Sequence, residues 1–184
     1  VTQRRVVFGL DKAGITDLAV RSTRQIREHA ERSADDVILQ YSPESFHHTE
    51  LDYALEICEA VAAEWGPTPT SKLIVNLPTT VEQFPPNVYA DRMEWFGRHF
   101  SHRDAAILSV HPHNDRGTGT AAAELAAGDR ALLDRGLCAF PFLPAANLAA
   151  HPRPGGDGPG GFQPAGLFRP RPRRGRRRRA RPAD

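Results

Sequence analysis

The chain has 184 residues and a formal net charge of +2, with 40% hydrophobic and 25% charged residues. This length and composition are typical of one globular domain. The longest apolar runs are a handful of residues, far short of the roughly 20 that span a bilayer, and no N-terminal segment resembles a signal peptide. The two cysteines, Cys58 and Cys138, form no C-x-x-C motif, which argues against a disulfide scaffold and a zinc ribbon. We therefore expect a cytoplasmic protein that contacts no membrane.

The charge is distributed unevenly along the chain. Residues 151–184 contain ten arginines but only two acidic residues, together with seven prolines and seven glycines. A segment with so little apolar surface to bury is expected to be disordered. We therefore divide the chain into a folded part, 1–128, and a low-complexity basic tail, 129–184.

Short β-branched runs alternate with amphipathic helical stretches in the folded part. Thr49 with Asp52 resembles a capping box, and Gly66 is expected to end the helix that follows Thr49. In chain order, the pattern predicts a strand at Val6–Phe8, a helix from about Ile15 to Ser33, a strand at Val37–Tyr41, a helix at Thr49–Trp65, a strand at Leu73–Asn76, a helix at Asn87–Phe100, a strand at Ala105–Val110 and a helix from about Gly117 to Leu125.

Strand–helix alternation with a step of roughly 30 residues or more indicates βαβ units and a parallel sheet. A (β/α)8 barrel and a doubly wound sheet would both give this pattern. A barrel collects its chemistry at the C-terminal ends of successive strands, and polar residues follow three of the predicted strands. The predicted fold class is therefore α/β, a partial (β/α)8 TIM barrel of about four βα units.

His111 and His113 are the most informative polar pair. Two histidines at i and i+2 on a strand point to the same face and can bind one divalent metal ion. Asn114 and Asp115 could then hold a ring N–H or a metal-bound water. The alternative is a pair of surface histidines at a strand end, with Asp115 capping the next helix.

Other polar residues follow the second and third predicted strands. Glu44 could act as a general base, and Ser42 could bind a carboxylate; the alternative is a Ser-Pro turn with Glu44 in solvent. Thr79 and Thr80 could bind an anion, although threonine at this place is more often part of a turn. The adjacent histidines His47 and His48 are expected to lie exposed in a loop.

Several segments together resemble one family between about Thr2 and Leu125. The most specific is Leu108–Thr118, followed by Ala121–Leu125. The segments are Gln3–Phe8, Tyr41–Ser45, Thr49–Leu51, Asn76–Pro78, Thr80–Glu82, Pro86–Asp91, Leu108–Thr118 and Ala121–Leu125. In this order the segments resemble 2-isopropylmalate synthase, a (β/α)8 barrel that condenses acetyl-CoA with 2-ketoisovalerate in leucine biosynthesis and hydrolyses the thioester.

The resemblance implies a role for each polar residue at the strand ends. His111 and His113 would be ligands of a divalent metal ion, Zn²⁺, Mg²⁺ or Mn²⁺. Ser42, Thr80 and His111 would bind the keto acid. Glu44 would be the catalytic group beside the acetyl methyl of acetyl-CoA, in an acid/base or orienting role. The resemblance also implies a homodimer. Homocitrate synthase, citramalate synthase, hydroxymethylglutaryl-CoA lyase and, more remotely, a metal-dependent hydrolase are the alternatives.

Three parts of the family pattern are not found in the sequence. They are an Arg-Asp pair on a first strand, a Gly-Asn-Gly-Glu-Arg loop and the C-terminal domains. We therefore expect the chain to be inactive alone. The residues after about 125–129 have the composition of GC-rich codons, and we interpret them as a frameshifted translation. The alternative is a natural arginine-rich arm that binds nucleic acid, a partner that we do not expect.

Overall fold

The computed structural model describes residues 3–128 and the backbone of 137–139. All of these residues belong to one compact unit, Val1–Ala150. Apart from 137–139, the predicted basic tail lies outside the described residues, so its expected disorder stays a prediction. No helix within the described part is long and apolar enough to cross a membrane.

Four strands form one parallel sheet in the order β1-β2-β3-β4. The strands are β1 (Gln40–Tyr41), β2 (Leu73–Pro78), β3 (Ala106–His111) and β4 (Leu137–Ala139). The longer helices are α1 (Lys12–Glu31), α2 (Leu51–Trp65), α3 (Pro86–His99) and α4 (Gly119–Ala127). Because α2 connects β1 to β2 and α3 connects β2 to β3, these elements are βαβ units. The predicted parallel α/β class is confirmed.

The register of the sheet brings the strand ends to one edge. Leu73 lies opposite Ala106 and Pro78 lies opposite His111, so β2 and β3 end level with each other. On the other side of β2, Tyr41 lies opposite Val75. Polar residues that follow β1, β2 and β3 are therefore neighbours, as a parallel sheet requires.

The core forms where the central strands meet the helices. Both β2 and β3 are mostly buried along their length, which explains their near-continuous apolar sequence. Helix α2 packs against β2 and α3, and α4 packs against β3. The largest side chains that are fully buried in this core are Phe46, Leu73, Leu77, Tyr89, Met93, Phe96 and Leu108.

The predicted strand at Val6–Phe8 is wrong. These residues belong to a π-helical turn, Arg4–Phe8, that ends at Gly9 with φ 63°, and all three side chains are more than half exposed. Arg4 pairs with Glu50 at the start of α2, so the segment is attached through its polar residue. The β preference of valine is a preference for packing on a sheet surface, and no sheet surface covers this turn within the described residues.

Two helix boundaries also differ from the prediction. Helix α1 begins at Lys12 because the Asp11 carboxylate accepts a hydrogen bond from the Gly14 N–H over 2.8 Å, an N-cap that the sequence pattern did not reveal. The predicted capping box at Thr49 is wrong, because the Thr49 hydroxyl donates to the carbonyl of Ser45 instead. Gly66 ends α2 as predicted, with φ 74°.

Candidate functional site

An asparagine within β2 joins two of the predicted site residues. The Asn76 side chain is 4% exposed. Its Nδ2 donates to Ser42 Oγ over 2.9 Å and to His111 Nδ1 over 3.1 Å. One amide group thus uses its two N–H bonds to connect the residues that follow β1 and end β3. Ser42 and His111, both predicted to bind substrate, therefore lie on the same face of the sheet edge.

A second pair forms around the hydroxyl of Thr80. Thr80 Oγ1 donates to Glu44 Oε1 over 2.5 Å and accepts the backbone N–H of Ser45 over 2.9 Å. Glu44 lies on the exposed surface and lines a cavity of about 690 Å³. The structure therefore leaves the Glu44 carboxylate accessible while Thr80 fixes its orientation.

The two histidines lie side by side at the end of β3. Their ring centroids are 5.1 Å apart with an angle of 30° between the ring planes. Burial and the neighbouring His113 lower the pKa of His111 below its ordinary value, and Glu44 opposes that shift. A lowered pKa keeps the imidazole neutral near pH 7, the form that binds metal ions.

Tyr89 of α3 and Thr79, which follows β2, hold the two histidine backbones. The buried Tyr89 hydroxyl donates to the carbonyl of Leu77 over 2.7 Å and accepts the N–H of His111 over 3.0 Å. Thr79 Oγ1 accepts the N–H of His113 over 2.8 Å. The Thr79 hydroxyl oxygen therefore holds the backbone, as threonine does in a turn, and an anion at Thr79 stays a prediction.

The donor set fits part of the coordination shell of a divalent cation. Two imidazoles that share one tetrahedral ion at roughly 2 Å per Zn–N bond lie with their rings in contact range, as those of His111 and His113 do. Within the described residues no group of three or more His, Cys, Asp or Glu side chains is arranged to hold a metal ion. The described site therefore offers two protein ligands.

Asn114 and Asp115 organise the loop after β3 and contact the backbone. Asn114 Oδ1 accepts the N–H of Gly119 at the start of α4 over 2.9 Å, and Asp115 Oδ2 accepts the N–H of Glu82 over 2.9 Å. Among the described residues these two side chains make no hydrogen bond to a ring N–H, and their contact with a metal-bound water stays a prediction. Asp115 does not cap α4 either, because Asn114 takes that place.

The buried carboxylate of Glu82 completes this loop connection. Glu82 is 6% exposed and accepts hydrogen bonds from the N–H of Arg116 over 2.5 Å, from the N–H of Thr118 over 3.2 Å and from the Thr118 hydroxyl. Asp115 in turn accepts the backbone N–H of Glu82, so each of the loops after β2 and β3 donates hydrogen bonds to a carboxylate of the other. The backbone that carries His113 is thereby fixed.

The prediction that His47 lies exposed in a loop is wrong, because His47 is buried. His48 beside it is partly buried. His47 is 2% exposed, and its ring packs edge-on against Phe84, with centroids 4.9 Å apart, and against Tyr89. Burial, reinforced by the Arg92 guanidinium and His48, lowers the pKa of His47 to about 4, while Glu82 opposes the shift. The sequence pattern failed because the 3₁₀ turn Phe46–His48 folds inward.

Sequence reasoning missed Asn76, Tyr89 and Glu82 as site residues. Asn76 carried a usable signal, because an amide inside an apolar strand must find hydrogen-bond partners when buried. Tyr89 resembled an ordinary core residue of α3, and nothing local distinguishes Glu82 from a surface glutamate. Their roles depend on contacts between residues that are 22 to 36 positions apart.

Comparison with known proteins places the chain in a family. The HMGL-like family model matches residues 1–131. The chain belongs to the HMGL-like family. It is 60% identical over 125 residues to the 2-isopropylmalate synthase of Parafrankia sp. (strain EAN1pec) and 62% identical over 126 residues to that of Rhodospirillum rubrum. It is 57% identical over 124 residues to that of Ralstonia nicotianae.

These alignments cover part of each protein. Each match includes 67% of this chain but 22 or 23% of the relative's length. The chain therefore resembles a fragment of the synthase, as the sequence motifs predicted, and the HMGL-like match agrees with the predicted partial barrel. The residues beyond 131 lie outside the family match, and their interpretation as a frameshift stays a prediction.

Proposed function

We propose that this chain is the part of a 2-isopropylmalate synthase that holds the cation and the keto acid for condensation with acetyl-CoA. One observation carries the proposal. Asn76 joins Ser42 to His111 at the same sheet edge where Thr80 orients Glu44, in a chain 60–62% identical to proteins of that name. No contact among the described residues favours the related synthases, the lyase, the hydrolase or a nucleic-acid protein over this function.

His111 and His113 are the residues that would hold the divalent cation, and their donor type is compatible with Zn²⁺, Mg²⁺ or Mn²⁺. When bound, that cation supplies Lewis-acid polarisation of a carbonyl. Ser42 lies one hydrogen bond from Asn76, and Asn76 lies one hydrogen bond from His111. A keto acid that contacts His111 therefore has a hydroxyl donor within reach of its carboxylate.

Glu44 has the chemistry and the access for the proton transfer. Its carboxylate would accept a proton from the methyl of the acetyl thioester, and the resulting enolate carbon would form a C–C bond to the keto carbon. The keto oxygen gains a proton and becomes a hydroxyl. Water then cleaves the thioester and releases the CoA thiol. The Thr80 hydroxyl, which donates to Glu44 Oε1 over 2.5 Å, would hold the carboxylate towards the methyl.

Keto-acid binding to the 184-residue chain tests the proposal without requiring turnover. We would titrate 2-ketoisovalerate in the presence of Mn²⁺ and repeat the titration with a chelator, with pyruvate and 2-ketoglutarate as competing ligands. We expect binding that requires the cation and is at least about tenfold tighter for 2-ketoisovalerate. Equal or tighter binding of 2-ketoglutarate or pyruvate, or binding that ignores the chelator, would contradict the proposal. The homodimer and the cytoplasmic location stay predictions.

A further inference from the structure

Asn76 connects the predicted substrate-binding residue Ser42 to the histidine pair of the site. Both N–H bonds of its amide are donated, one to Ser42 Oγ and one to His111 Nδ1. Its Oδ1 is buried with no hydrogen-bond partner within the described residues. A hydrogen bond donated to Nδ1 requires that Nδ1 carry no proton. In this arrangement the neutral ring of His111 therefore carries its proton on Nε2.

The opposite amide orientation is less favourable while His111 carries its proton on Nε2. With the amide reversed, Oδ1 would accept from Ser42 and from His111, and the two N–H bonds would point to the place where Oδ1 finds no partner. Buried N–H groups without an acceptor are rarer and costlier than a carbonyl with an unused lone pair. The observed orientation is therefore the better one for the Nε2–H tautomer of His111.

A cation at His111 Nε2 reverses this preference. An imidazole that binds a metal ion through one nitrogen carries its proton on the other nitrogen and donates that proton to an acceptor. Nδ1 of His111 would then become a donor that faces the donor Nδ2 of Asn76. The conflict is removed when the amide turns over and presents Oδ1.

We propose that Asn76 is a positioning residue whose amide sets the tautomer of His111 and turns over when His111 Nε2 takes a cation. The inference rests on the proposed function, because it uses His111 as a ligand. Since the same amide contacts Ser42, the turn also reverses the hydrogen bond to the Ser42 hydroxyl, from acceptor to donor. Cation loading and the hydrogen-bonding direction of a substrate-binding hydroxyl are thereby coupled.

Nitrogen NMR of the 184-residue chain tests the inference directly. The ¹⁵N shifts of the His111 ring report which nitrogen carries the proton, and the side-chain amide protons of Asn76 report their own hydrogen bonds. Without a cation we expect the Nε2–H tautomer of His111 and hydrogen-bonded Asn76 amide protons. On addition of Zn²⁺ we expect Nδ1–H and the loss of both amide hydrogen bonds. An Nδ1–H tautomer before Zn²⁺ is added, or amide protons that do not change, would overturn the inference.

Asn76→Asp supplies a second, independent readout. A carboxylate can only accept hydrogen bonds, so the variant should hold His111 as Nδ1–H before any cation is added. Zn²⁺ should then bind about ten- to a hundredfold more tightly than to the wild type, because no amide has to turn. Unchanged affinity together with an unchanged tautomer would contradict the inference. The wild-type spectra need no substitution and decide the question if the variant does not fold.

The two proposals fail in different ways. If the wild-type chain takes no Zn²⁺, Mn²⁺ or Mg²⁺, the cation part of the proposed function is wrong, and the link between amide turnover and loading fails with it. If the chain binds the cation but His111 shows the Nδ1–H tautomer beforehand, only the role of Asn76 is wrong.

Discussion

Ser45 donates its backbone N–H to Thr80 Oγ1 over 2.9 Å, and both residues have left-handed backbones, with φ 62° at Ser45 and 63° at Thr80. They are the only non-glycine residues with positive φ in the described part of the chain. Such a conformation costs roughly 1–2 kcal/mol per residue, so the surrounding contacts must hold it. Both strained residues adjoin Glu44, because Ser45 follows it in the chain and Thr80 donates its hydroxyl to its carboxylate. Strain of this kind is concentrated at functional sites.

Removal of the Thr80 hydroxyl should release this arrangement. Thr80→Val keeps the shape of the side chain but leaves the Ser45 N–H without its acceptor and Glu44 without its donor. We expect a loss of about 1–3 kcal/mol in the free energy of unfolding, measured by urea denaturation. Thr80→Ser retains the hydroxyl and should lose less than about 1 kcal/mol. Equal losses in the two variants would show that the hydroxyl is not what holds the loop.

Gly119 should not tolerate a side chain, because the loop that carries His113 passes close to it. A Cβ at this position would lie 2.6 Å from the carbonyl oxygen of His113 and 3.1 Å from Asn114 Oδ1. Gly119→Ala should therefore displace the loop, cost about 1–3 kcal/mol and weaken cation binding. Gly128→Ala is the control, since the nearest atom to its Cβ within the described residues would lie at 3.3 Å, a contact that requires a shift of only a few tenths of an ångström. If thermal unfolding shows the two variants to be equally stable, the close approach has no energetic consequence.

The sequence predicted the positions at which the strands end better than it predicted the side-chain contacts that hold those ends in place. β2, β3 and the residues that follow them could be placed because buried parallel strands are continuous apolar runs that end in polar residues. The Val6–Phe8 run has the same local composition, yet it forms a helical turn whose apolar side chains meet no sheet surface within the described residues. Contacts such as Tyr89 with His111, or Glu82 with Thr118, join residues far apart in the chain, and no local pattern encodes them.

Glu82 should be essential to the connection between the loops after β2 and β3. Its carboxylate accepts from two backbone N–H groups and one hydroxyl, whereas the amide of glutamine offers one oxygen and places an NH₂ against a donor. Glu82→Gln should therefore destabilise the chain by about 1–3 kcal/mol, measured by urea denaturation. The exposed Glu56 provides the control, because Glu56→Gln should change stability by less than about 0.5 kcal/mol. A Glu82 variant as stable as the control would refute this role.

His47 should make the fold sensitive to acid. Its pKa of about 4 lies below the ordinary 6.5, so the unfolded chain binds more protons than the folded chain between these pH values. Stability should therefore be fully present above about pH 6.5 and fall as the pH decreases to about 4, by up to about 3 kcal/mol from this residue. His47→Phe should remove that part of the pH dependence.

The comparison needs urea denaturation at several pH values, since carboxylates also titrate near pH 4. Exposed His29 gives the matched control, and His29→Phe should retain the wild-type slope. A His47→Phe profile parallel to that of the wild type between pH 6.5 and 4 would show that His47 is protonated equally well in the folded state.

Cation affinity tests most directly the central claim that His111 and His113 form a metal site. We would measure the dissociation constants of Zn²⁺ and Mn²⁺ by isothermal titration for the wild-type chain, His111→Ala, His113→Ala and the exposed control His29→Ala. We predict that each site variant binds at least about tenfold more weakly, while the control binds as the wild type does. Equal affinity in all four chains would contradict this claim, because the cation would then bind elsewhere.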